Sequence, residues 1–483
     1  MFLDSFRKTK IIATLGPACS GPKEIRQLID VGVNVFRINA SHYQDSAVLA
    51  RFAKKVRKVC FDYHKQVSIF LDLQGPKIRV GEVKKPFELK RGESISIVSG
   101  QAICTASTLT VSYEGLIDDV CVGESIFIND GAIRLKVTQK EVGLLNCEVL
   151  RGGMVSSHKG VNLPTTQLEI GAFTSKDESD ALACVDVGLD YVALSFVSSA
   201  DDVLNFRRFL DDHGGETLQI ISKLERQLAV DNMMSIVEVS DAVMVARGDL
   251  GVEIGTEQVP KIQKMIIREC NRRIKPVIVA TQMLESMISS EMATRAEVSD
   301  VANAIYDRCD AVMLSAETAV GINPINAVAT MVKICKATDD HLDLIKKEKN
   351  IVFKHVFFKQ TRATSICKAA DQIAEENFAK AIMAFTSSGS TPLIASKLNS
   401  SFPIIAPTDC IEICQRMSVL RGVYPMMMPV FFKDIHRWTE MIKVAVDEAL
   451  AIQLLQKGDM IVVTAGIPIG QSNGINSIRI VQV

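Results

Sequence analysis

No stretch of the sequence approaches the roughly eighteen uninterrupted apolar residues that a membrane span needs, and MFLDSFRKTKIIATLGPA carries only a short apolar run before Gly16. The expectation is a chain that neither crosses a membrane nor carries a secretory leader. Excess charge is missing too. With 55 basic and 56 acidic residues the formal net charge is −1, so no global field draws the chain to nucleic acid or to an acidic membrane surface. Any anion site must be local. The twelve cysteines include no CxxC pair, which removes the usual metal-knuckle and dithiol patterns and suits reduced, packed thiols in the cytoplasm. There is also no GxxxxGK[ST] phosphate loop, no low-complexity tract and no long internal repeat.

The 483 residues, 47% apolar and 23% charged, can instead bury several cores, and about three domains are expected from such a length. Short β-branched runs alternate with amphipathic stretches: KIIATLGPA, VNVFRINAS, VSIFLDL, YVALSFV, QIISKLE, AVMVARGD, PVIVATQ and AVMLSAET. Such nearly continuous apolar runs are strands buried on both faces, and the spacers hold one helix and two loops each. Eight parallel β/α units predict a closed (β/α)₈ TIM barrel, with an open doubly wound sheet as the alternative. The third spacer is far too long for one unit. Its runs ESISIVS, ESIFIND, AIRLKVT and LNCEVL, punctuated by Gly, Asn and Asp, predict an inserted β-rich domain, a small barrel or sandwich. After the polar run DLIKKEKN, the runs AIMAFTS, PIIAPT, GVYPMMMP and DMIVVTA predict a C-terminal α/β domain. The expected division is 1–75 with 173–345 for the barrel, 76–172 for the insert and 346–483 for the C-terminal domain.

In such barrels chemistry collects where strands end. The second strand ends Arg37, Ile38, Asn39, Ala40, Ser41, His42, and a period of two projects Arg37, Asn39 and Ser41 to one face. The fifth places Lys223 and Glu225 together, and the sixth runs into Arg247, Gly248 and Asp249. Two carboxylates, Glu225 and Asp249, suit a hard divalent cation, and an adjacent ammonium can neutralise a transferring phosphoryl group. Thr281 and Ser315, ending the last two strands, offer hydroxyls for proton relay. Each has a plain structural reading: Lys223–Glu225 as an ordinary ion pair, Asn39 and Ser41 as caps, His42 as filler, Thr281 as a packed strand end. Structural residues would scatter over both barrel faces, whereas these share one.

Taken together, KTKIIATLGPA, VNVFRINASH, LDLQGPKIRVG, ISKLE, VARGDLGVE, ATQMLESM and TRAEVSDVANAIYDRCDAVMLSAETAVG resemble the pyruvate kinase family. The match is collinear along nearly the whole chain; the insert and C-terminal domain agree mainly by position and pattern. The resemblance implies a barrel with a lid and a C-terminal regulatory domain in a homotetramer. It implies transfer of phosphoryl from phosphoenolpyruvate to ADP, giving ATP and, after protonation of the enolate, pyruvate. By motif position, Arg37 and Arg79 would contact phosphates, Lys223 would stabilise the transferring group and Glu225 and Asp249 would bind Mg²⁺ or Mn²⁺. Thr281 would border the enolate, with Thr281, a water or the Ser315 region relaying the proton. The backbone around Ala246 to Asp249, Gly248 included, would hold the substrate carboxylate. Asn39, His42, Arg79 and Lys176 resemble the nucleotide side.

Departures from the family pattern carry further expectations. Members that bind potassium do so near the equivalents of Asn39, Ser41 and Asp72, with a glutamate where this chain has Lys77. Leu73, Gln74, Lys77 and Val80 resemble the potassium-independent branch, so no monovalent cation should be required. The lid motif lacks the usual Gly after NLP and has Glu169 at a common aspartate position. Thr386, Ser387, Ser388, Ser390 and Thr391 surround Gly389 between a strand and a helix, where hydroxyls and N–H groups can cradle phosphate. This resembles the family's effector loop and suggests a sugar-phosphate effector, although the loop has no basic residue and can also be read as a helix cap. Two other readings stand beside the kinase: a Mg²⁺-dependent lyase or aldolase acting on pyruvate-like keto acids, and an inactive nucleotide or sugar-phosphate sensor.

Overall fold

The computed structural model describes residues 6–63, 65–100, 102–166, 171, 173–348, 360–430, 432, 437–467 and 474–483. The chain opens with β1 (Lys10–Thr14), β2 (Val35–Asn39) and β3 (Ser68–Asp72). It then makes β4 (Phe87–Leu89), β5 (Ser94–Ser99), β6 (Thr108–Val111), β7 (Ser125–Ile128), β8 (Ile133–Glu141), β9 (Leu144–Arg151), β10 (Gly153–Val155) and β11 (Val161–Asn162). Five further strands follow: β12 (Tyr191–Leu194), β13 (Gln219–Leu224), β14 (Ala242–Ala246), β15 (Val277–Ala280) and β16 (Ala311–Leu314).

Strands β1–β3 and β12–β16 close into a parallel barrel, β1 pairing β16 with Lys10 opposite Ala311. Strand alternation sorts the core. Ile11, Phe36 and Ile69 pack outward with helix residues such as Leu28 and Phe206, while Ile12, Val35, Phe70 and Ile221 fill the interior. The covering helices carry matching stripes. Val259–Arg272, with a proline in its first turn, buries Gln263, Ile266, Ile267 and Cys270 on one face. The interior core also continues into the C-terminal domain, joining Ala395, Leu420 and Val423.

The insert is a six-stranded sheet, β11-β7-β8-β9-β5-β6, with a separate β10-β4 ribbon. Single bridges from Arg79 to Gly160 and from Val80 to Val111 link its two edges. Gly75, at φ +66°, turns the chain into it where an added Cβ would meet Phe196 at 2.7 Å and Ser195 at 2.9 Å.

The C-terminal domain has β17 (Ala381–Ala384), β18 (Ile404–Thr408), β19 (Val423–Met427), β20 (Met460–Ala465) and β21 (Ser477–Gln482), in the order β19-β18-β17-β20-β21. The last strand adds one to the four runs read from the sequence. Ser477–Gln482 pairs antiparallel with β20 as a largely exposed edge, and its mixed polar pattern hid it among the preceding glycines. Helix Pro324–Glu348 extends into the polar segment DLIKKEKN, whose last two residues lie outside the described residues. Among the described residues no helix is long and apolar enough to cross a membrane.

Candidate active site

The C-terminal end of the barrel is built around one ammonium. Lys223 Nζ donates to Ser195 Oγ at 2.7 Å and lies 3.2 Å from Asp72 and 3.3 Å from Glu225. Lys223 and Glu225 therefore do share a face at the end of β13. Burial works against the Lys223 charge, but Asp72, Glu225 and Asp249 outweigh it and raise the pKa, so the group stays protonated. Glu225 is fully buried and accepts one hydrogen bond, from Phe196 N–H at 2.7 Å, while its Oε2 has no hydrogen-bonded partner. Burial, opposed by Lys223 and aided by Asp249, pushes its pKa up to about 7.

Arg37 is clamped by Asp72, which accepts from Nε at 2.8 Å and lies 2.7 Å from NH2, and its NH1 reaches Thr14 Oγ1 at 3.1 Å. Burial opposes the Asp72 charge, yet Lys223 and Arg37 prevail and hold its pKa below the ordinary range. The projected face stops at Asn39. The backbone turns into a 3-10 segment over Ala40–His42, and the Asn39 amide oxygen accepts from Ser41 N–H at 3.1 Å, so Asn39 caps this turn. The period of two therefore does not extend to Ser41.

Strands β14 and β15 end against each other. Gly248 N–H donates to Thr281 Oγ1 at 2.9 Å, and the buried Arg247 donates to the Thr281 carbonyl at 2.7 Å and pairs with Asp300 at 2.7 Å. These contacts hold Thr281 and Gln282 at φ +66° and +53°, an uncommon conformation for a β-branched residue that needs such external support. At the end of β16, Ser315 N–H donates to Glu317 at 2.7 Å, while the buried Ser315 hydroxyl has no hydrogen-bonded partner.

The insert covers this end. A cleft of about 640 Å³ beneath it is lined by Lys77, Arg79, Asn162, Arg226, Asp249 and Glu253, and a second of about 650 Å³ reaches Gly248, Asp249 and Gln282. Asp249 thus lies between the two, while Lys223, Glu225 and Thr281 stand outside both linings. Lys77 Nζ donates to Ser41 Oγ at 3.3 Å. Lys77 is largely exposed, but the cover it does have, then the charges of Lys223 and Arg79, lower its pKa. Leu73 is buried, and its carbonyl accepts from Ser195 Oγ at 2.7 Å. Lys176 pairs with Asp180 at 2.5 Å and reaches the Ala40 carbonyl at 3.3 Å, which sets it beside the exposed His42. Arg79 donates to the His158 carbonyl at 2.8 Å. Glu169 lies outside the described residues.

In the C-terminal domain Thr386 Oγ1 accepts from Gly389 N–H at 2.8 Å, and Ser388 and Ser390 hydroxyls lie 3.0 Å apart. Gly389 at φ +81° precedes helix Ser390–Lys397, and Thr386 and Thr391 are buried. Ser387 is exposed.

Several supporting residues escaped sequence reasoning. Ser195 was visible as the hydroxyl ending YVALSFV, in the position that flagged Thr281 and Ser315 elsewhere. Thr14, the Phe196 N–H and Glu317 carried no comparable signal. Among the described residues no group of three or more His, Cys, Asp or Glu could hold a metal ion. Glu225 and Asp249 nonetheless fit a divalent cation that takes its remaining oxygens from substrate or water, and Glu225 Oε2, which meets only the Lys223 ammonium, supports that fit.

Comparison with known proteins agrees with this architecture. The family description "Pyruvate kinase, barrel domain" matches residues 6–328, and "Pyruvate kinase, alpha/beta domain" matches residues 364–481. A pyruvate kinase of Sporosarcina psychrophila is 41% identical over 479 residues, covering 98% of this chain and 80% of that protein. One of Clostridium acetobutylicum is 40% identical over 476 residues, covering 98% and 99%. The crystal structure of a pyruvate kinase from Cryptosporidium parvum superposes with a TM-score of 0.91 at 34% identity, covering 99% of this chain and 97% of that one.

Proposed function

The chain belongs to the pyruvate kinase family, and from that premise we propose how its residues divide the work. It is a phosphotransferase that moves the phosphoryl group of phosphoenolpyruvate to ADP, giving pyruvate and ATP, and its family generally uses Mg²⁺. The observation that carries the assignment of roles is the Lys223 ammonium held among Ser195, Asp72 and Glu225.

Lys223 stabilises charge on the group in flight, and Arg37, its fork fixed by Asp72, grips the phosphate. Glu225 and Asp249 would hold Mg²⁺ or Mn²⁺, which when bound neutralises phosphate charge and orients the reacting oxygens. Gly248 and Asp249 present backbone to the substrate carboxylate. Thr281 Oγ1 already accepts the Gly248 N–H, which leaves its own proton free to be donated beside the enolate, and the unpartnered Ser315 hydroxyl supports a relay there. Asn39, His42, Arg79 and Lys176 form the nucleotide side, and the insert acts as a lid that excludes water. The units are 1–75 with 173–345, 76–172 and 346–483.

Lys77 supplies the positive charge that potassium provides elsewhere; its contact with Ser41 Oγ at 3.3 Å supports this reading. Thr386, Ser387, Ser388, Ser390 and Thr391 receive a sugar-phosphate effector in a cytoplasmic homotetramer. Ser388→Glu should then abolish sugar-phosphate activation and leave basal turnover within about twofold, because added charge repels phosphate; retained activation would refute the effector loop.

The direct test measures pyruvate formation from phosphoenolpyruvate and ADP with Mg²⁺ in buffer free of potassium and ammonium, then with potassium added. Full turnover without potassium supports both readings. Turnover only with potassium removes the Lys77 role, and none under either condition favours a lyase or a sensor.

A further inference from the structure

The two linkers of the insert are held in different ways. The first is held by backbone: Gly75 N–H donates to Asp177 at 3.1 Å, and Phe196 and Ser195 crowd the turn. The second is described as far as Thr166, which meets Arg226, the residue directly following Glu225 at the end of β13. Arg226 is only 8% exposed, and its hydrogen bonds among the described residues go to neutral oxygens: Ser198 Oγ at 3.0 Å and the Thr166 carbonyl at 3.3 Å. A guanidinium left with neutral partners has donors to spare and no carboxylate locking it in one place.

Thr166 is the counterpart on the lid side. It is fully buried, and its hydroxyl donates to Glu124 Oε2 at 2.8 Å, an oxygen that also accepts the Cys121 N–H at 3.0 Å. One residue thus joins barrel to lid, through its carbonyl on one side and its hydroxyl on the other. Glu253 completes the grip, facing Asn162 of the returning segment, its charge opposed by burial and favoured by Arg226.

We propose that Arg226 is a positioning residue for phosphoryl transfer, a latch that holds the returning lid segment through Thr166 and so sets how the lid rests over the carboxylates. The latch keeps a binding-competent lid populated before substrate arrives. Its loss therefore weakens apparent binding by the fraction of competent lid lost, while the filled, closed site reacts nearly as before. This rests on reading the insert as a lid.

The test uses the full chain with Arg226→Ala and Arg226→Lys. Arg226→Ala should raise KM for ADP about tenfold with kcat within about threefold, and Arg226→Lys should recover most of the loss. Hydrogen exchange at the Val80 and Val161 amides, which bond to Lys159 and Ile78 carbonyls across the linkers, should quicken in Arg226→Ala. Unchanged KM, a fall in kcat at constant KM, or unaltered exchange would each overturn the latch. Wild-type protein is measured with and without ADP and Mg²⁺ in parallel. No protection of lid amides there refutes the lid itself, whereas protection that persists undiminished in Arg226→Ala refutes only the latch. Should Arg226→Ala not fold, Glu124→Ala cuts the second tether of Thr166 from the lid surface, and a KM for ADP equal to wild type would again overturn the proposal.

Discussion

Both ends of the barrel bury ions, and they treat them oppositely. At the C-terminal end Arg37, Asp72, Lys223 and Glu225 crowd together, yet Asp72 Oδ1 and Glu225 Oε2 meet only the Lys223 ammonium, at 3.2 and 3.3 Å, and Ser315 Oγ has no hydrogen-bonded partner. At the N-terminal end both oxygens of Asp339 and of Asp310 are matched. Asp339 accepts from Lys8 N–H and Thr9 N–H at 2.9 Å and from Thr9 Oγ1 at 3.0 Å, and it pairs with Arg421 at 2.5 Å. Asp310 accepts from Val277 N–H at 2.7 Å and Arg421 N–H at 3.3 Å and pairs with Lys397. Buried charge therefore does not mark a site in itself. What distinguishes the reactive end is carboxylate oxygens that meet only one ammonium; at the other end those of Asp339 and Asp310 are matched, and it is Arg7 NH1, Arg421 Nε and Ser68 Oγ that have no hydrogen-bonded partner.

Substitutions at the two ends should separate cleanly. Lys223→Met should cut kcat by about a thousandfold when assayed well below its unfolding temperature, as expected when a preorganised charge is removed from a transition state; near-normal turnover of the folded variant would refute its role. Asp310→Asn should do the reverse, lowering unfolding free energy by about 3–5 kcal/mol because it strands the buried Lys397, with turnover at low temperature little changed. Loss of turnover without loss of stability would erase the contrast. Lys77→Glu, at the rim of the reactive end, should make activity depend on potassium by about tenfold, since a positive charge beside Ser41 becomes negative. Potassium-indifferent turnover would argue against it.

A pH-linked effect concerns Lys10, buried at the N-terminal end with its ammonium on the Val423 carbonyl at 2.6 Å. Burial, helped by Arg7 and opposed by Asp339, lowers its pKa from 10.5 to about 7. Between those values the unfolded chain holds more protons, so this group makes stability rise with pH across the window. Denaturant midpoints of wild type and Lys10→Met from pH 7 to 10 should diverge accordingly, and parallel curves would exclude the effect.

The barrel was legible because its strands are short, apolar and evenly spaced, and Lys223–Glu225 because a period of two survives wherever a strand stays extended. Asn39 and Ser41 show the limit: the strand ended, and a local side-chain hydrogen bond took over the geometry. β21 was missed because an exposed edge needs no apolar face. The clamp of Arg37 by Asp72 and the support of Lys223 by Ser195 join distant segments, and no local pattern announces such pairs. The N-terminal network was invisible for the same reason.

The bond from Gly75 N–H to Asp177 has a consequence for modularity. It brings the two ends of the insertion together, so the path from β3 to β12 is already spanned when the roughly hundred residues between them are ignored. The insert should therefore be removable as a unit: a short turn grafted between residues 75 and 173 should leave a barrel that folds, and an insert from a relative should seat on the same socket.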